Sequence, residues 1–137
     1  MEGGYDLVVE VPSSETYRRL RVAAGLSPKS AEAAAAGLPN TLFAVLVRKD
    51  GRVVGMGRLV GDGGLFFQVV DIAVEPRHQG RGLGKAIVGK IVEHVRATAP
   101  TGAYVSLMAD GRANRLYSQF GFVPTAPTSI GMAFTVR

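Results

Sequence analysis

The stretch 78-HQGRGLGKAIVGKIVEHV-95 decides how this chain is read. Three alternate glycines, Gly80, Gly82 and Gly84, stand before a run in which Leu83, Ile87, Ile91 and Val95 recur every fourth residue. Val88 and Val92 widen that stripe, and the spacing predicts an amphipathic helix of about four turns. Glycine lets a backbone take positive φ and approach a bulky group closely. The first N–H groups of a helix have no partner within it, and the helix dipole adds positive potential there. With Arg77, His78, Gln79, Arg81 and Lys85 around them, these amides are expected to receive an anion of pyrophosphate size. An ordinary glycine-rich turn is the plainer alternative.

Two other phosphate-binding loops do not fit. The nucleoside-triphosphate loop needs G-x-x-x-x-G-K-[ST], whereas Gly84-Lys85 is followed by Ala86 and position 79 is Gln. The dinucleotide fingerprint G-x-G-x-x-G, started at Gly80, would need glycine where Lys85 stands. What remains is 79-QGRGLG-84, or Q-x-x-G-x-G, between a strand-like run and a helix.

Outward from the loop, Tyr5 to Val11 reads as a strand. Ser13 or Ser14 can cap a helix through Ala24 that Gly25 stops. Ser30 to Ala36 favours a second helix ended by Gly37 and Pro39. The runs 42-LFAVLVR-48 and 53-VVGMGRLV-60 flank an Asp50-Gly51 hairpin signal, and 61-GDGG-64 leads into 65-LFFQVVDIAV-74. These three runs are expected to form an antiparallel meander, the third covered on both faces. Within it Gln68 and Asp71 are polar and must be paired or useful. Beyond the loop helix, 103-AYVSLMA-109 reads as a strand, 112-RANRLYSQF-120 as a helix closed by Gly121, and 129-SIGMAFTVR-137 as a final strand. The fold class is therefore α+β, one domain over residues 1–137 with helices packed on a mixed sheet.

Composition narrows the function classes. The chain has no cysteine, which excludes a disulfide framework, a cysteine-ligated metal and a cysteine nucleophile, and fits a reducing cytoplasm. No apolar run approaches the ~20 residues of a membrane span, and Met1 to Val11 does not read as a secretory signal. The net charge is +5; Arg77, Arg81, Lys85 and Lys90 lie in and after the loop and the remaining basic residues are scattered, with a small cluster at Arg18, Arg19 and Arg21 and no long basic run, so nucleic acid is not the expected partner.

The segment 71-DIAVEPRHQGRGLGKAIV-88 resembles the acyl-coenzyme A signature of the GNAT superfamily of N-acetyltransferases, and 113-ANRLYSQFGF-122 resembles its A-x-x-L-Y-x-x-x-G-F segment. The two stand in the family's order, and the element order agrees from Tyr5 to Val136. The resemblance implies a mostly antiparallel central sheet splayed at the acyl-coenzyme A site, with helices on both faces. It implies acetyl-coenzyme A as cosubstrate, without a metal, and direct transfer of the acetyl group to a primary amine. The loop Gln79, Gly80, Arg81, Gly82, Leu83, Gly84 and Lys85 would hold the pyrophosphate. The backbone of Ile72, Ala73 and Val74 would pair with the pantetheine arm, and an amide near Val74 would hold the thioester oxygen.

By the same resemblance Tyr117 would be the general acid that protonates the departing thiolate. Where many members carry Asn ahead of that tyrosine this chain has Asp110, which cannot donate when ionised; the contact would be altered, or supplied by Asn114 instead. Where some members carry a glutamate base on the central strand, Gln68 stands here. Strand alternation puts Asp71 on the opposite face from Gln68, as a base or a structural partner; His78, His94 and a water relay complete the candidates. Asp62, Asp71 and Asp110 would attract a cationic amine, whereas Arg18, Arg21 and Arg58 would bind a carboxylate. A small-molecule amine is the expected acceptor, in the cytoplasm, with no nucleic-acid or membrane partner and a homodimer allowed. The alternatives are a protein N-terminal or lysine acetyltransferase, and a non-catalytic acyl-coenzyme A-binding module of the same fold.

Overall fold

Local chemistry sets each element. The computed structural model describes residues 2–137, as two compact units, one ending at Leu107 and the other running Met108–Arg137. In the first, strand β1 (Tyr5–Val9) leads to helix α1 (Ser14–Ala23), capped by the Ser13 hydroxyl, which accepts the Thr16 N–H at 3.1 Å. Gly25, at φ +83°, turns the chain out of that helix. Helix α2 (Ala31–Gly37) is capped in the same way by Ser30, which accepts from the Ala33 N–H at 3.0 Å.

Strands β2 (Phe43–Lys49) and β3 (Arg52–Gly61) meet at Asp50 and Gly51, both at positive φ, as a tight hairpin turn requires. Between β3 and β4 (Phe66–Val74) the Asp62 carboxylate accepts N–H groups of Gly64, Leu65 and Phe66 at 2.9, 2.8 and 3.1 Å. These three bonds hold its carboxyl below the usual range. Helix α3 (Leu83–Thr98) then carries the chain to β5 (Tyr104–Ser106). The sheet order is β1-β2-β3-β4-β5, antiparallel except for the parallel β4–β5 pair. This is the expected mixed meander, with the 103–109 strand shortened to three residues.

The sheet is covered on both faces. Met56 packs in one buried cluster with Tyr17 and Leu20 of α1 and with Ala73. Its neighbour Gly57 faces the other way, against Ile87 and Ile91 of α3. A Cβ on Gly57 would lie 2.7 Å from Ile72 Cδ1 and closer still to Ile87 Cγ2, so only glycine lets α3 sit this near the sheet. One irregularity interrupts the β3–β4 ladder. Met56 pairs with Ala73 and Arg58 with Val70, so Gly57 alone stands opposite both Asp71 and Ile72. This is a β-bulge on β4, with Asp71 at φ +59°.

The second unit holds one short helix, α4 (Asn114–Ser118), inside the longer helix expected over 112–120. The strand expected over 129–137 is not formed. The segment takes part in no ladder, and Ile130, Met132, Phe134 and Val136 are 69 to 90% exposed. Alternation supplies one face of a strand, but the strand itself exists only where its N–H and C=O groups meet those of a neighbour. Among the described residues no helix is long and apolar enough to cross a membrane.

Replacing Gly57 with Ala is expected to destabilise the protein by about 1–3 kcal/mol, because Ile87 branches at Cβ and cannot swing its methyl aside. Urea unfolding of Gly57→Ala beside the wild type measures this; an unchanged midpoint would show that α3 moves off the sheet without cost.

Candidate active site

The β4–β5 pair is the structural root of the site. Phe66, Phe67 and Gln68 pair with Tyr104, Val105 and Ser106, and there the pairing stops, although β4 continues to Val74. The Glu75 N–H donates to Val54 C=O at 2.8 Å. By antiparallel alternation Ala73 also faces β3, while the N–H and C=O of Ile72 and Val74 point toward the side β5 has left. Of the three residues expected to offer backbone to a ligand, Ile72 has both groups on the open side and Val74 its N–H, since the Val74 C=O accepts from the Gln79 side chain, and Ala73 is turned toward Met56.

The loop that follows is built to leave amides unpaired. The Gln79 side chain donates from Nε2 to Val74 C=O at 2.9 Å, and its N–H donates to Pro76 C=O at 3.3 Å. Gln79 thus ties the loop to the strand and does not offer its own amide. Gly80 and Gly82 take φ +78° and +79°, and a Cβ on either would meet open space, so their conformation and not crowding demands glycine. The first α3 turn closes with Ala86 N–H to Gly82 C=O at 3.0 Å. The N–H groups of residues 80–85 donate to no group among the described residues. Six N–H groups at the start of a 16-residue helix, flanked by the exposed Arg81 and Lys85, form a cradle for a polyanion. The donor set fits a pyrophosphate, and the open flank of Ile72 and Val74 fits an amide-bearing arm.

Asp71 anchors the opposite side of the bulge. Its Oδ1 accepts from the Tyr17 hydroxyl and from Arg21 Nη1, both at 2.9 Å, and its Oδ2 accepts from Arg58 Nη1 at 2.7 Å. The Asp71 side chain is 5% exposed. Both oxygens are occupied by donors, and accepting an amine's proton would break the pairing with two guanidinium groups, so the arrangement is that of a brace. The bulge also revises the facing expected from simple alternation. Arg58 pairs with Val70 and Val60 with Gln68, so Gln68 shares the Asp71 face. Burial, with the Asp71 charge and hydrogen bond behind it, pushes the Tyr17 phenol up to about 12 against the smaller opposing effect of Arg21 and Arg58. Nothing in the sequence pattern pointed to Tyr17; its one signal was that a polar residue inside an apolar strand needs a partner.

The two histidines are engaged elsewhere. His78 Nδ1 lies 2.7 Å from the Tyr5 hydroxyl, and His94 stacks on Phe43 with centroids 3.9 Å apart. Arg19 and Arg52 both bond Glu75, which keeps its carboxyl below the usual range and fixes the chain between β4 and the loop. Asp110, Asn114 and Tyr117 belong to the second unit. Tyr117 is buried with its ring edge-on to Phe122. Its phenol is pushed up, first by burial and then by the Asp110 carboxylate, so it holds its proton at neutral pH. Asn114 is exposed. Among the described residues no group of His, Asp or Glu is arranged to hold a metal.

A splayed parallel pair followed by an amide-rich glycine loop is the arrangement that the resemblance to N-acetyltransferases implies. Residues 12–122 match the model of the acetyltransferase (GNAT) family, and the chain belongs to that family. A probable acetyltransferase of unknown function from meticillin-resistant Staphylococcus aureus is 45% identical and superposes with a TM-score of 0.92 over 96% of this chain and 99% of its own. A GNAT family protein of Streptococcus pneumoniae is 25% identical, with a TM-score of 0.78 over 97% and 98% of the two chains. Serotonin N-acetyltransferase 2 of Oryza sativa is 36% identical over 61% of this chain but only 41% of its own length. The chain spans between 28% and 57% of the curated relatives it matches.

Tyr17 yields a test with a defined sign. The folded protein keeps the Tyr17 proton up to about 12, whereas the unfolded chain releases it near 10.0. The stability tied to that proton is complete below the lower value and is lost as pH rises through the higher one. Tyr17→Phe is expected to cost about 1 kcal/mol near neutral pH and to flatten the alkaline fall in stability. Equal alkaline slopes for the two proteins in urea titrations would place the effect elsewhere.

Proposed function

We propose that this chain transfers an acetyl group from acetyl-coenzyme A to the primary amine of a small molecule. The observation that carries the proposal is the run of unpaired amides at residues 80–85 beside the open edge of Ile72 and Val74. When bound, acetyl-coenzyme A supplies an activated acyl carbon and a thiolate leaving group. The loop amides, with Arg81 and Lys85, neutralise the pyrophosphate. The main-chain N–H and C=O of Ile72 pair with the amides of the arm, the Val74 C=O being taken by Gln79. The Val74 N–H, directed to the same side, stabilises the negative charge that develops on the acyl oxygen as the amine attacks.

In this reading the new bond joins the amine nitrogen to the acyl carbon, the carbon–sulfur bond breaks, and Tyr117 gives its proton to the departing sulfur. Its raised pKa supports that role, since the phenol remains protonated at the working pH. The amine loses its proton to water, because Asp71, the one carboxylate on β4, is held by three donors. Asp71 is a positioning residue that keeps the bulge, and hence the aim of Ile72, in place.

Thiol release from acetyl-coenzyme A, measured over a panel of small amines, tests the proposal. Tyr117→Phe is expected to lower kcat by about 10²–10⁴-fold while leaving the KM for acetyl-coenzyme A unchanged. Gly82→Ala, forced to hold a Cβ at φ +79°, is expected to raise that KM. Tight binding of acetyl-coenzyme A without turnover of any amine would favour a binding module. No binding at all would overturn the reading of the loop.

A further inference from the structure

The face of the sheet under α1 carries a feature that the acetyl-transfer chemistry does not use. A cleft of about 220 Å³ lies between α1, α2 and the sheet, lined by Tyr17, Lys29, Ala33, Ala34, Leu38 and Arg58, with Gly37 at its edge. Arg58 is a charged residue within the buried core, 8% exposed. Its Nε donates to Thr41 Oγ1 at 3.0 Å and its Nη1 to Asp71 at 2.7 Å. Its Nη2 takes part in neither bond, and no buried side-chain nitrogen in the described residues lacks a partner, so Nη2 is open to solvent on a residue that lines the cleft. The Tyr17 ring lies 5.6 Å from the guanidinium carbon and walls the same space.

The charge around this cleft does not cancel. Asp71 is shared by Arg21 and Arg58, which leaves one positive charge over, and Lys29 adds a second at the rim. Arg21 is fully engaged, with Nε and Nη2 on Ser27 and Nη1 on Asp71. Among the described residues no acidic one lines the cleft. A guanidinium nitrogen without a protein partner, on a residue lining a cleft with surplus positive charge, disfavours a polycation and rewards an anion. The volume lies below the ~300 Å³ at which drug-sized pockets begin, which suits an acceptor of few atoms.

We infer that the acceptor is a small amine carrying an anionic head, a carboxylate or a phosphate, which Arg58 Nη2 and Lys29 bind in this cleft. The inference rests on the acetyl-transfer reading for its amine and on the cleft alone for its anion. Asp71 links the two, since it holds Arg58 from one side of the bulge and directly precedes Ile72 in the chain. Orienting the acceptor by its charged end fixes the distance from head to amine and so selects among amines by length.

Matched acceptors test this. Thiol release is measured with β-alanine against β-alaninamide, and with 2-aminoethyl phosphate against ethanolamine, for the wild type, Lys29→Glu and Arg58→Lys. Binding of propionate and of ethyl phosphate, which have no amine, is followed in parallel by calorimetry. At least one anionic acceptor is expected to exceed its neutral partner by about tenfold or more in kcat/KM, and which pair shows the larger ratio tells carboxylate from phosphate. Lys29→Glu, at an exposed position that leaves Asp71 paired, is expected to abolish that preference through KM. Arg58→Lys keeps the charge on Asp71 but removes the free nitrogen and is expected to do the same. Neutral or polycationic amines used as well as the anionic ones would overturn the inference and leave the acetyl-transfer reading intact. Anion binding that Lys29→Glu abolishes, with no turnover of any amine, would uphold the anion site and remove the acetyl-transfer reading instead.

Discussion

The contact on which this structure turns is the clasp on Asp71. A non-glycine residue at φ +59° is disfavoured by roughly 1–2 kcal/mol, and the bulge it occupies gives up a ladder bond. Three donors from α1 and β3 offset that cost, each a hydrogen bond to a buried ionised group. Because the donors come from separate elements, the bulge, the seat of α1 and the orientation of Arg58 form together. The extra residue shifts the alternation along β4, so that beyond it the main chain of Ile72 and Val74 faces the side vacated by β5.

A second constraint acts on the opposite face. The amide cradle is useful only at a fixed place relative to the strand, yet its N–H groups are by construction unbonded and cannot hold themselves there. Three contacts hold the loop from outside. Gln79 ties it to Val74, Glu75 ties its approach to Arg19 and Arg52, and the absence of a Cβ at Gly57 lets α3 press against β3. The rigidity of the loop is borne by neighbours, and its own backbone is left free for a ligand.

The parts of this arrangement that were legible in the sequence are those set by local rules. The cap at Ser13, the second helix beginning near Ser30, the Asp50-Gly51 turn, the stripe of α3 and the glycines before it each depend on residues a few positions apart. The bulge was not legible. Period-two alternation placed Asp71 opposite Gln68, and only the count of residues facing Gly57 shows that the two share a face. Tyr17 escaped notice for the same reason, since its role depends on a partner 54 positions away. Arg21 and Arg58 were recognised as anion binders but not as partners of Asp71, and the division of labour between them follows from geometry. Ile130 to Val136 carry a clear alternation without a ladder. Pattern describes what a strand would bury, and only a neighbour supplies the bonds that make it one.

The three rungs between β4 and β5 leave the first unit with a sheet that is incomplete along half of one strand. A molecule whose own amides fill that gap becomes, while it stays, a piece of secondary structure. Its concentration then enters the unfolding equilibrium of the protein logarithmically, as any ligand of the native state alone must. The susceptibility of this chain to proteolysis is thereby tied to the abundance of whatever completes its sheet, and a cell depleted of that molecule would hold less of the protein without changing its synthesis.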